Sequence, residues 1–251
     1  MIEEMQSLNK IETWEIVSKP DRKKTIGCKW IFKIKEDIPR VKGPRYKARL
    51  VAKGFTQVEG VDYNEIFLPV VKHVSIRIML SVVVNFDLEL EQIDVKTAFL
   101  HGTLDEVIYM DKPEGFIEKG SEDKTCLLKK SLYGLKQSPR QWNQKFDWFM
   151  KSQGFQKCVN NPCVYHKGSI IDDQVFLLLY VDNMLVAAKD SEQVKQLKKS
   201  LSEEFEMKDL GPATRILGMD IIRDRKKGTL KLSQNSNFMA KPGREHWGAV
   251  K

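Results

Sequence analysis

Cysteine is scarce in this chain, and its spacing excludes two classes of protein. Only Cys28, Cys126, Cys158 and Cys163 occur among 251 residues. Four irregularly spaced cysteines do not make a disulfide framework, so reduced thiols are predicted. The pair in CVNNPC has no second Cys or His pair at zinc-finger spacing, which argues against a structural zinc site.

Long apolar runs are also lacking. None approaches the roughly 20 residues that a membrane span requires. The opening residues, MIEEMQSLNK, do not have the basic-then-apolar order of a signal peptide. The sequence therefore predicts a globular intracellular protein, cytoplasmic or nuclear, with no membrane partner.

Phosphate-binding glycine motifs are missing as well. Neither GxGxxG nor GxxxxGK occurs in the sequence, which excludes dinucleotide-binding and P-loop sites of the usual kind. A serine nucleophile elbow and a paired-histidine metal helix are also absent. The common nucleotide-binding and hydrolase sites can therefore be set aside.

Basic charge is plentiful, with a formal net charge of +8 and a pI near 9.1. Six basic residues fall between positions 40 and 53, around a turn predicted at Gly43 and Pro44. Before the turn, Trp30, Phe32 and Ile34 alternate with other residues, a pattern that predicts a strand with one buried face. The basic cluster has two interpretations, a solvated face or a surface that contacts nucleic-acid phosphates.

Apolar periodicity predicts three helices. Residues 73–85 are apolar on nearly all sides, which is typical of a buried helix. Two amphipathic helices follow, one after Pro139 and one capped by Asp190 and Ser191. Their apolar stripes are Trp142, Phe146, Phe149 and Met150 in the first, and Val194, Leu197, Leu201 and Phe205 in the second. Because strands and helices do not alternate strictly, an α+β fold with a mainly antiparallel sheet is predicted.

Two acidic residues lie at the ends of predicted strands, Asp94 after LELEQI and Asp182 after FLLLYV. An Asp-Asn hairpin turn is sufficient to explain Asp182 with Asn183. However, the flanking runs FLLLY and MLVAA are apolar enough to lie in the middle of a covered sheet. Acids at the ends of such strands are suited to a divalent cation, because rigid oxygen ligands leave positions open to phosphates and water.

A series of long strings, found in the same order, resembles reverse transcriptases of copia-type retrotransposons. The resemblance runs from about Glu12 to Gln234. The strings are CKWIFKIK, RYKARLVAKGFTQVEGVDYNEIFLPVVK, QIDVKTAFLHG, IYMDKPEGF, LKKSLYGLKQSPRQW, LLLYVDNMLVA and FEMKDLGP.

The resemblance implies a right-hand polymerase fold with fingers and a palm built on an antiparallel sheet. Residues 1–90 and 108–135 would form the fingers, and residues 91–107 and 136–234 the palm with the catalytic hairpin. The implied reaction is template-directed DNA synthesis with two Mg²⁺ ions. The implied partners are a primed RNA or DNA template and a deoxynucleoside triphosphate.

The resemblance also implies roles for individual residues. Asp94, Asp182 and Asn183 would occupy the catalytic positions, with Asp94, Asp182 and the Val95 carbonyl binding metal. Nucleotide contacts would come from Lys47, Arg49, Lys53, Phe99, Tyr133 and Gln137, with Phe99 as a gate against the ribose 2′-hydroxyl. Gly134 and Ser138 belong to the same loop as Tyr133. Primer or template contacts would come from Tyr180, Met184, Lys136, Leu217, Gly218 and Met219.

The sequence departs from the family at two places. The family hairpin reads Tyr-Val-Asp-Asp, whereas this chain has Asn183 at the second aspartate. After LKLSQ the family continues into a helical thumb, but here residues 235–251 resemble a segment found further downstream. A missing thumb and a mobile, out-of-context tail are therefore expected.

Three hypotheses about activity remain open. The chain is an active RNA-directed DNA polymerase, a catalytically poor remnant that still binds nucleic acid, or a degenerate product without a selected function. Asn183 and the lost thumb favour impaired activity.

Overall fold

The computed structural model describes residues 1–21, 23–35, 45–117, 120–121, 123–169 and 173–234. Four helices lie within these ranges: α1 (Ile2–Lys10), α2 (His73–Asn85), α3 (Ser138–Ser152) and α4 (Ser191–Glu204). Two 3₁₀ turns span Gly54–Thr56 and Ala98–His101. No helix in this part of the chain is long and apolar enough to cross a bilayer.

Fourteen strands occur in the same ranges. They are β1 (Trp14–Ser18), β2 (Cys28–Lys35), β3 (Arg45–Ala52), β4 (Glu89–Val95), β5 (Thr103–Met110), β6 (Lys124–Lys130), β7 (Gln156–Cys158), β8 (Asn161–Lys167), β9 (Val175–Tyr180), β10 (Asn183–Ala188), β11 (Met207–Pro212), β12 (Arg215–Ile216), β13 (Met219–Asp224) and β14 (Thr229–Ser233).

These strands form four sheets, and the pairs of neighbouring strands are antiparallel. The largest sheet has the order β11-β4-β10-β9-β8-β7, and smaller ones have the orders β1-β6-β5, β12-β13-β14 and β2-β3. The predicted mixed fold with antiparallel sheets is therefore confirmed. The β9–β10 hairpin occupies the two middle positions of the six-stranded sheet, as its apolar sequence predicted.

Both faces of the six-stranded sheet are covered. On one face, α3 and α4 enclose what we name the α3–α4 core, made of Ile93, Val95, Trp142, Phe146, Phe149, Met150, Leu177, Leu179, Met184, Val186, Val194, Leu197, Leu201 and Phe205 with their neighbours. On the other face, α2 and the β12–β14 sheet enclose a second core, which includes Ile76, Leu80, Leu90, Leu178, Leu185, Ala187 and Ile216. Strands covered on two sides explain the continuous apolar runs of β9 and β10.

The two amphipathic helices are confirmed with their predicted buried faces. Pro139 lies in the first turn of α3, where its missing N–H is not needed. Asp190 caps α4, because its carboxylate accepts a hydrogen bond from the Glu192 backbone N–H at 2.9 Å. Both helix starts thus follow from local sequence chemistry.

Helix α2 is confirmed as a helix, but the prediction that it is buried on nearly all sides is wrong. Ile76, Met79 and Val83 are buried, whereas Val74 and Ile78 are exposed. The helix lies on one face of the sheet, so only the side chains directed at the sheet find apolar neighbours.

The β2–β3 hairpin is confirmed, although its predicted turn at Gly43 and Pro44 lies outside the described residues. Of Trp30, Phe32 and Ile34, only Trp30 packs against a core: it is half-buried, pairs with buried Leu50, and its ring lies 5.8 Å from the ring of Phe116. Farther out, Phe32 is 66% and Ile34 is 60% exposed. The apolar side chains at this end of the two-stranded sheet are therefore exposed to solvent. An alternating sequence pattern cannot show where along a strand its covering neighbours end.

The C-terminal residues 235–251, predicted to be an out-of-context tail, lie outside the described residues.

Candidate active site

The tip of the β9–β10 hairpin is a two-residue turn made of Val181 and Asp182. Tyr180 and Asn183 are paired at its base, so the expected Asp182-Asn183 turn is shifted by one residue. Val181 has φ +57°, in the left-handed region. A β-branched residue is strained there by roughly 1–2 kcal/mol, so other contacts must stabilise this turn.

Two hydrogen bonds from outside the hairpin fix the turn. The indole Nε1–H of Trp142 donates to the Val181 carbonyl at 2.6 Å. The backbone N–H of Val95 donates to the Asp182 carbonyl at 2.8 Å. The second bond ties the hairpin tip directly to the end of β4, where Asp94 lies.

The predicted catalytic positions come together at this edge of the sheet. Asn183 on β10 is the antiparallel partner of Asp94 on β4, and Asp182 immediately precedes it. The Asn183 amide Nδ2 donates to Asp182 Oδ1 at 3.1 Å, and its Oδ1 accepts from Gln92 Nε2 at 3.3 Å. The amide therefore presents its N–H groups, and not its oxygen, to the neighbouring carboxylate.

The oxygen donors at this edge are suited to one hard cation. Asp94 and Asp182 supply carboxylates, and the Val95 carbonyl lies at the end of the same strand as Asp94. Across the part of the chain that the structure describes, no group of three or more His, Cys, Asp or Glu residues is placed to hold a metal. The donor set thus fits one divalent ion better than two.

An aromatic wall stands beside the acid pair. The ring centroids of Phe99 and Tyr133 lie 5.6 Å apart in an edge-to-face arrangement. The Arg49 guanidinium lies 4.9 Å from the centroid of the Tyr133 ring. Burial raises the pKa of Tyr133 to about 12; Arg49 opposes this rise, and the negative charges of Asp182 and Asp94 add to it. The Tyr133 side chain therefore contacts Phe99 and Arg49 and is also influenced by the charges of the two acids.

A close contact between two glycines holds this wall in place. The Ala52 N–H donates to the Tyr133 carbonyl at 2.7 Å. A Cβ added at Gly54 would lie 2.0 Å from the Gly134 carbonyl oxygen, and one at Gly134 would lie 2.2 Å from the Ala52 carbonyl oxygen. Only glycine permits this approach of the Tyr133 loop to the end of β3.

Three basic residues were predicted to contact phosphates, and the structure separates them. Lys47 and Arg49 lie on the face of β3 opposite buried Leu50, and the positive charges of both lower the pKa of the Glu4 carboxyl against the larger effect of burial. Lys53 follows β3 and extends along Gly27. The Arg49 guanidinium lies over the Tyr133 ring, and the negative charges of Asp182 and Asp94 act on that same Tyr133 side chain.

Gln137 is fully buried, and its side chain is used within the protein. Its Oε1 accepts from Gln57 Nε2 at 2.9 Å, and its Nε2 donates to the Asp62 carbonyl at 3.0 Å and to Glu106 at 3.2 Å. In this conformation the amide of Gln137 shapes the loop and is not presented to a nucleotide.

Two residues predicted to contact primer or template are also turned inward. The Lys136 ammonium donates to the Tyr63 hydroxyl at 3.1 Å and lies 4.7 Å from the centroid of that ring. Met184 is fully buried in the α3–α4 core. Both side chains therefore make contacts within the protein in this conformation.

The turn after β12 does reach the hairpin tip. Leu217 and Gly218 have φ of +51° and +76°, and they form a cleft of about 330 Å³ with Tyr180, Asn183 and Gln92. Met219, the next residue, instead lines a cleft of about 670 Å³ against α2. The structure thus brings two of these three predicted residues to the candidate site.

Comparison with known protein families identifies the family of the chain. A family model described as reverse transcriptase (RNA-dependent DNA polymerase) matches residues 11–241. The chain belongs to this family. The resemblance seen in the sequence is therefore confirmed.

Curated relatives of this reverse transcriptase domain are retrovirus-related Pol polyproteins of plant transposons. The chain is 55% identical over 234 residues to that of transposon TNT 1-94 from Nicotiana tabacum, covering 93% of this chain and 18% of the relative. From Arabidopsis thaliana, the transposon RE1 polyprotein is 40% identical, with 84% and 14% covered, and the RE2 polyprotein is 37% identical, with 92% and 16% covered. The chain thus spans less than a fifth of each relative.

A solved structure of a foamy viral protease-reverse transcriptase in complex with double-stranded DNA is similar with a TM-score of 0.41 and 13% identity. It covers 87% of this chain and 33% of that chain.

Sequence reasoning missed two contributors to the site of this reverse transcriptase domain. Trp142 was interpreted only as a core residue, yet its indole N–H bonds the hairpin tip. Gln92 was interpreted only as part of a strand pattern, yet it bonds Asn183. The available signal for Gln92 was its position two residues before Asp94, which places both on one face of β4.

His101 is a half-buried titratable group two residues after Phe99. Its ring lies 5.3 Å from that of Phe205, and its Nε2 has no hydrogen-bond partner among the described residues. Burial lowers the pKa of His101 below its usual 6.5, and the cations of Lys130 and Lys145 add to this effect.

This pKa shift predicts acid sensitivity. Below pH 6.5, His101 binds a proton more readily in the unfolded chain than in the folded protein. The free energy of unfolding therefore falls as the pH falls, by at most about 1.4 kcal/mol per pH unit. His101→Phe should reduce the loss of stability between pH 6.5 and 5 in urea titrations. His73→Phe, at an exposed histidine, is the control; equal pH profiles for the parent and His101→Phe would contradict the prediction.

Proposed function

We propose that this domain carries out template-directed DNA synthesis by magnesium-assisted nucleotidyl transfer, with reduced activity. The observation that carries the proposal is the juxtaposition of Asp182 with the Asp94–Asn183 pair at one sheet edge. In this proposal, residues 1–90 and 108–135 form the fingers, and residues 91–107 and 136–234 form the palm.

Asp94, Asp182 and the Val95 carbonyl would hold Mg²⁺. When bound, the metal activates the primer 3′-hydroxyl and neutralises charge on the triphosphate. The role of the protein is to keep the two carboxylates at a fixed separation. The sheet pairing of β4 with β10 and the bond from Val95 N–H to the Asp182 carbonyl serve this role.

The aromatic wall would receive the deoxynucleoside triphosphate. Arg49 is the cation best placed to contact the phosphates of this nucleotide. Lys47 lies on the same strand, and Lys53 directly follows the strand. Phe99, supported edge-on by Tyr133, would exclude the ribose 2′-hydroxyl. The ring pair limits the movement of Phe99, which a steric gate requires.

The primed template, RNA or DNA, would approach from the other side of the hairpin tip. Tyr180, Leu217 and Gly218 line the cleft there, so they are the proposed contacts for the primer end. The positive net charge of +8 is consistent with a polyanionic partner.

A second candidate function is nucleic-acid binding without catalysis. Its support is Asn183, whose amide donates to Asp182 Oδ1 and supplies no third carboxylate. That hydrogen bond occupies an oxygen that would otherwise be available to a cation.

Primer extension distinguishes the two functions. The expected result is slow, magnesium- or manganese-dependent extension of a primed template, abolished by Asp94→Asn. Extension that is undetectable, with intact primer–template binding, would establish the second function in place of the first.

Salt dependence tests the basic hairpin face. If Lys47, Arg49 and Lys53 contact phosphates, the log–log slope of affinity against salt should fall by roughly 0.7–0.9 for each lost contact in the triple alanine variant. Lys189, Lys195 and Lys199, replaced together, remove equal charge from around α4 as the control. Equal slopes for both triple variants would assign the hairpin lysines and arginine to a solvated face.

A further inference from the structure

The carbonyls of both turn residues in the β9–β10 hairpin accept hydrogen bonds from other elements. Val181 bonds to Trp142 of α3 at 2.6 Å, and Asp182 bonds to Val95 of β4 at 2.8 Å. Val181 is also the hairpin residue with left-handed φ. The turn conformation that presents the Asp182 carboxylate therefore depends on donors outside the hairpin.

The donor on α3 is held rigidly. Trp142 is 1% exposed, and its ring centroid lies 5.2 Å from that of Phe205 and 5.5 Å from that of Phe146. Aromatic packing on two sides leaves the indole N–H little freedom to follow a moving acceptor.

The backbone of α3 is fixed as well. A Cβ added at Gly102 would lie 2.8 Å from Gln141 Cβ and 3.0 Å from the Trp142 nitrogen. The helix therefore packs closely against the chain segment that follows Phe99. The position of the indole is thus set relative to the same segment that carries the aromatic wall.

We propose that Trp142 is a positioning residue, whose indole N–H holds the hairpin tip so that Asp182 stays directed toward Asp94. The consequence for metal binding rests on the proposed function of these two acids. The effect on the tip itself does not, since it follows from the hydrogen bond to Val181.

The test must distinguish the loss of the Trp142 N–H donor from the loss of its ring packing in the core. Trp142→Phe removes the N–H but also loses ring volume. Replacing the indole with the benzothiophene of benzothienylalanine preserves the bicyclic shape and removes only the donor. Phe146→Leu perturbs the same core without touching the bond, and Trp148→Phe changes an exposed ring on the same helix.

The deciding measurement is hydrogen exchange of the Val95 amide, which bonds the Asp182 carbonyl. With benzothienylalanine at position 142, this amide should exchange about tenfold faster, with the amides of Leu177 and Val186 in the middle of the hairpin unchanged. In Trp142→Phe, the exchange rate of the Val95 amide should likewise increase more than the rates of the Leu177 and Val186 amides. Phe146→Leu should move all three amides together, and Trp148→Phe should move none.

Affinity for Mn²⁺, measured by the electron paramagnetic resonance of the free ion, gives the second readout. Both Trp142 variants should bind Mn²⁺ about tenfold more weakly than the parent. If the exchange rate of the Val95 amide in the benzothienylalanine protein changes no more than the rates of the Leu177 and Val186 amides, the proposal is overturned. If no form binds Mn²⁺, the proposed metal site fails, and Val95 exchange still decides whether Trp142 fixes the tip.

Discussion

Replacing Asn183 with Asp is expected to raise magnesium-dependent primer extension by about a hundredfold or more. The change adds a carboxylate opposite Asp94 and removes the amide N–H that now bonds Asp182 Oδ1. Loss of a metal ligand costs several kcal/mol of transition-state stabilisation, and each 1.4 kcal/mol is about tenfold in rate. Single-turnover rates at saturating primer–template measure the effect without a contribution from weak binding.

Two controls accompany this prediction. Adding Asp94→Asn to Asn183→Asp should abolish the gain, because the paired carboxylate is then lost. Gln92→Leu should have a smaller effect, since Gln92 bonds Asn183 Oδ1 but contributes no charge. Equal rates for the parent and Asn183→Asp would show that the second carboxylate is dispensable and that the proposed impairment is wrong.

Gly54→Ala is expected to lower the free energy of unfolding by about 3 kcal/mol, the largest stability effect predicted here. The added Cβ would lie 2.0 Å from the Gly134 carbonyl oxygen, and backbone cannot yield as a side chain does. The Tyr133 loop must then separate from the end of β3. Urea denaturation measures the loss.

Gly27→Ala is the matched control for this clash. Gly27 lies near Lys53, and the three atoms nearest to its added Cβ belong to the Lys53 side chain, the closest at 3.1 Å. A flexible side chain can move, so a cost below about 1 kcal/mol is expected. Similar costs at the two glycines would show that the Tyr133 loop is free to shift away from β3.

Local chemistry in the sequence determined the elements that surround the site. The apolar stripes of α3 and α4 repeat at helical spacing, and Asp190 and Pro139 mark where those helices begin. The uninterrupted apolar runs of β9 and β10 predicted a hairpin in the middle of a covered sheet. Such patterns are readable because each depends on neighbours within a few residues along the chain.

The sequence also determined the family and identified Asp94 and Asp182 as candidate site residues. Both acids follow from predicted strand ends and from the resemblance, whereas the register that places Asn183 opposite Asp94 was decided by the tertiary structure. The departure at Asn183 is likewise a property of the sequence alone. Its consequence, an amide N–H bonded to Asp182, depends on the folded hairpin.

Tertiary structure alone decided which residues reach the acid pair. Arg49, Phe99 and Tyr133 converge through a glycine contact that joins Gly54 to Gly134, 80 positions apart in the sequence. Gln137 is turned inward by Gln57 and Asp62, 80 and 75 positions away, and by Glu106, 31 positions away. Sequence periodicity reports which face of an element is apolar, but not what lies against that face. For that reason only the tertiary structure showed that Trp142 and Gln92 bond the hairpin tip and its Asn183. The exposure of the outer end of the β2–β3 hairpin likewise depends on how distant segments pack.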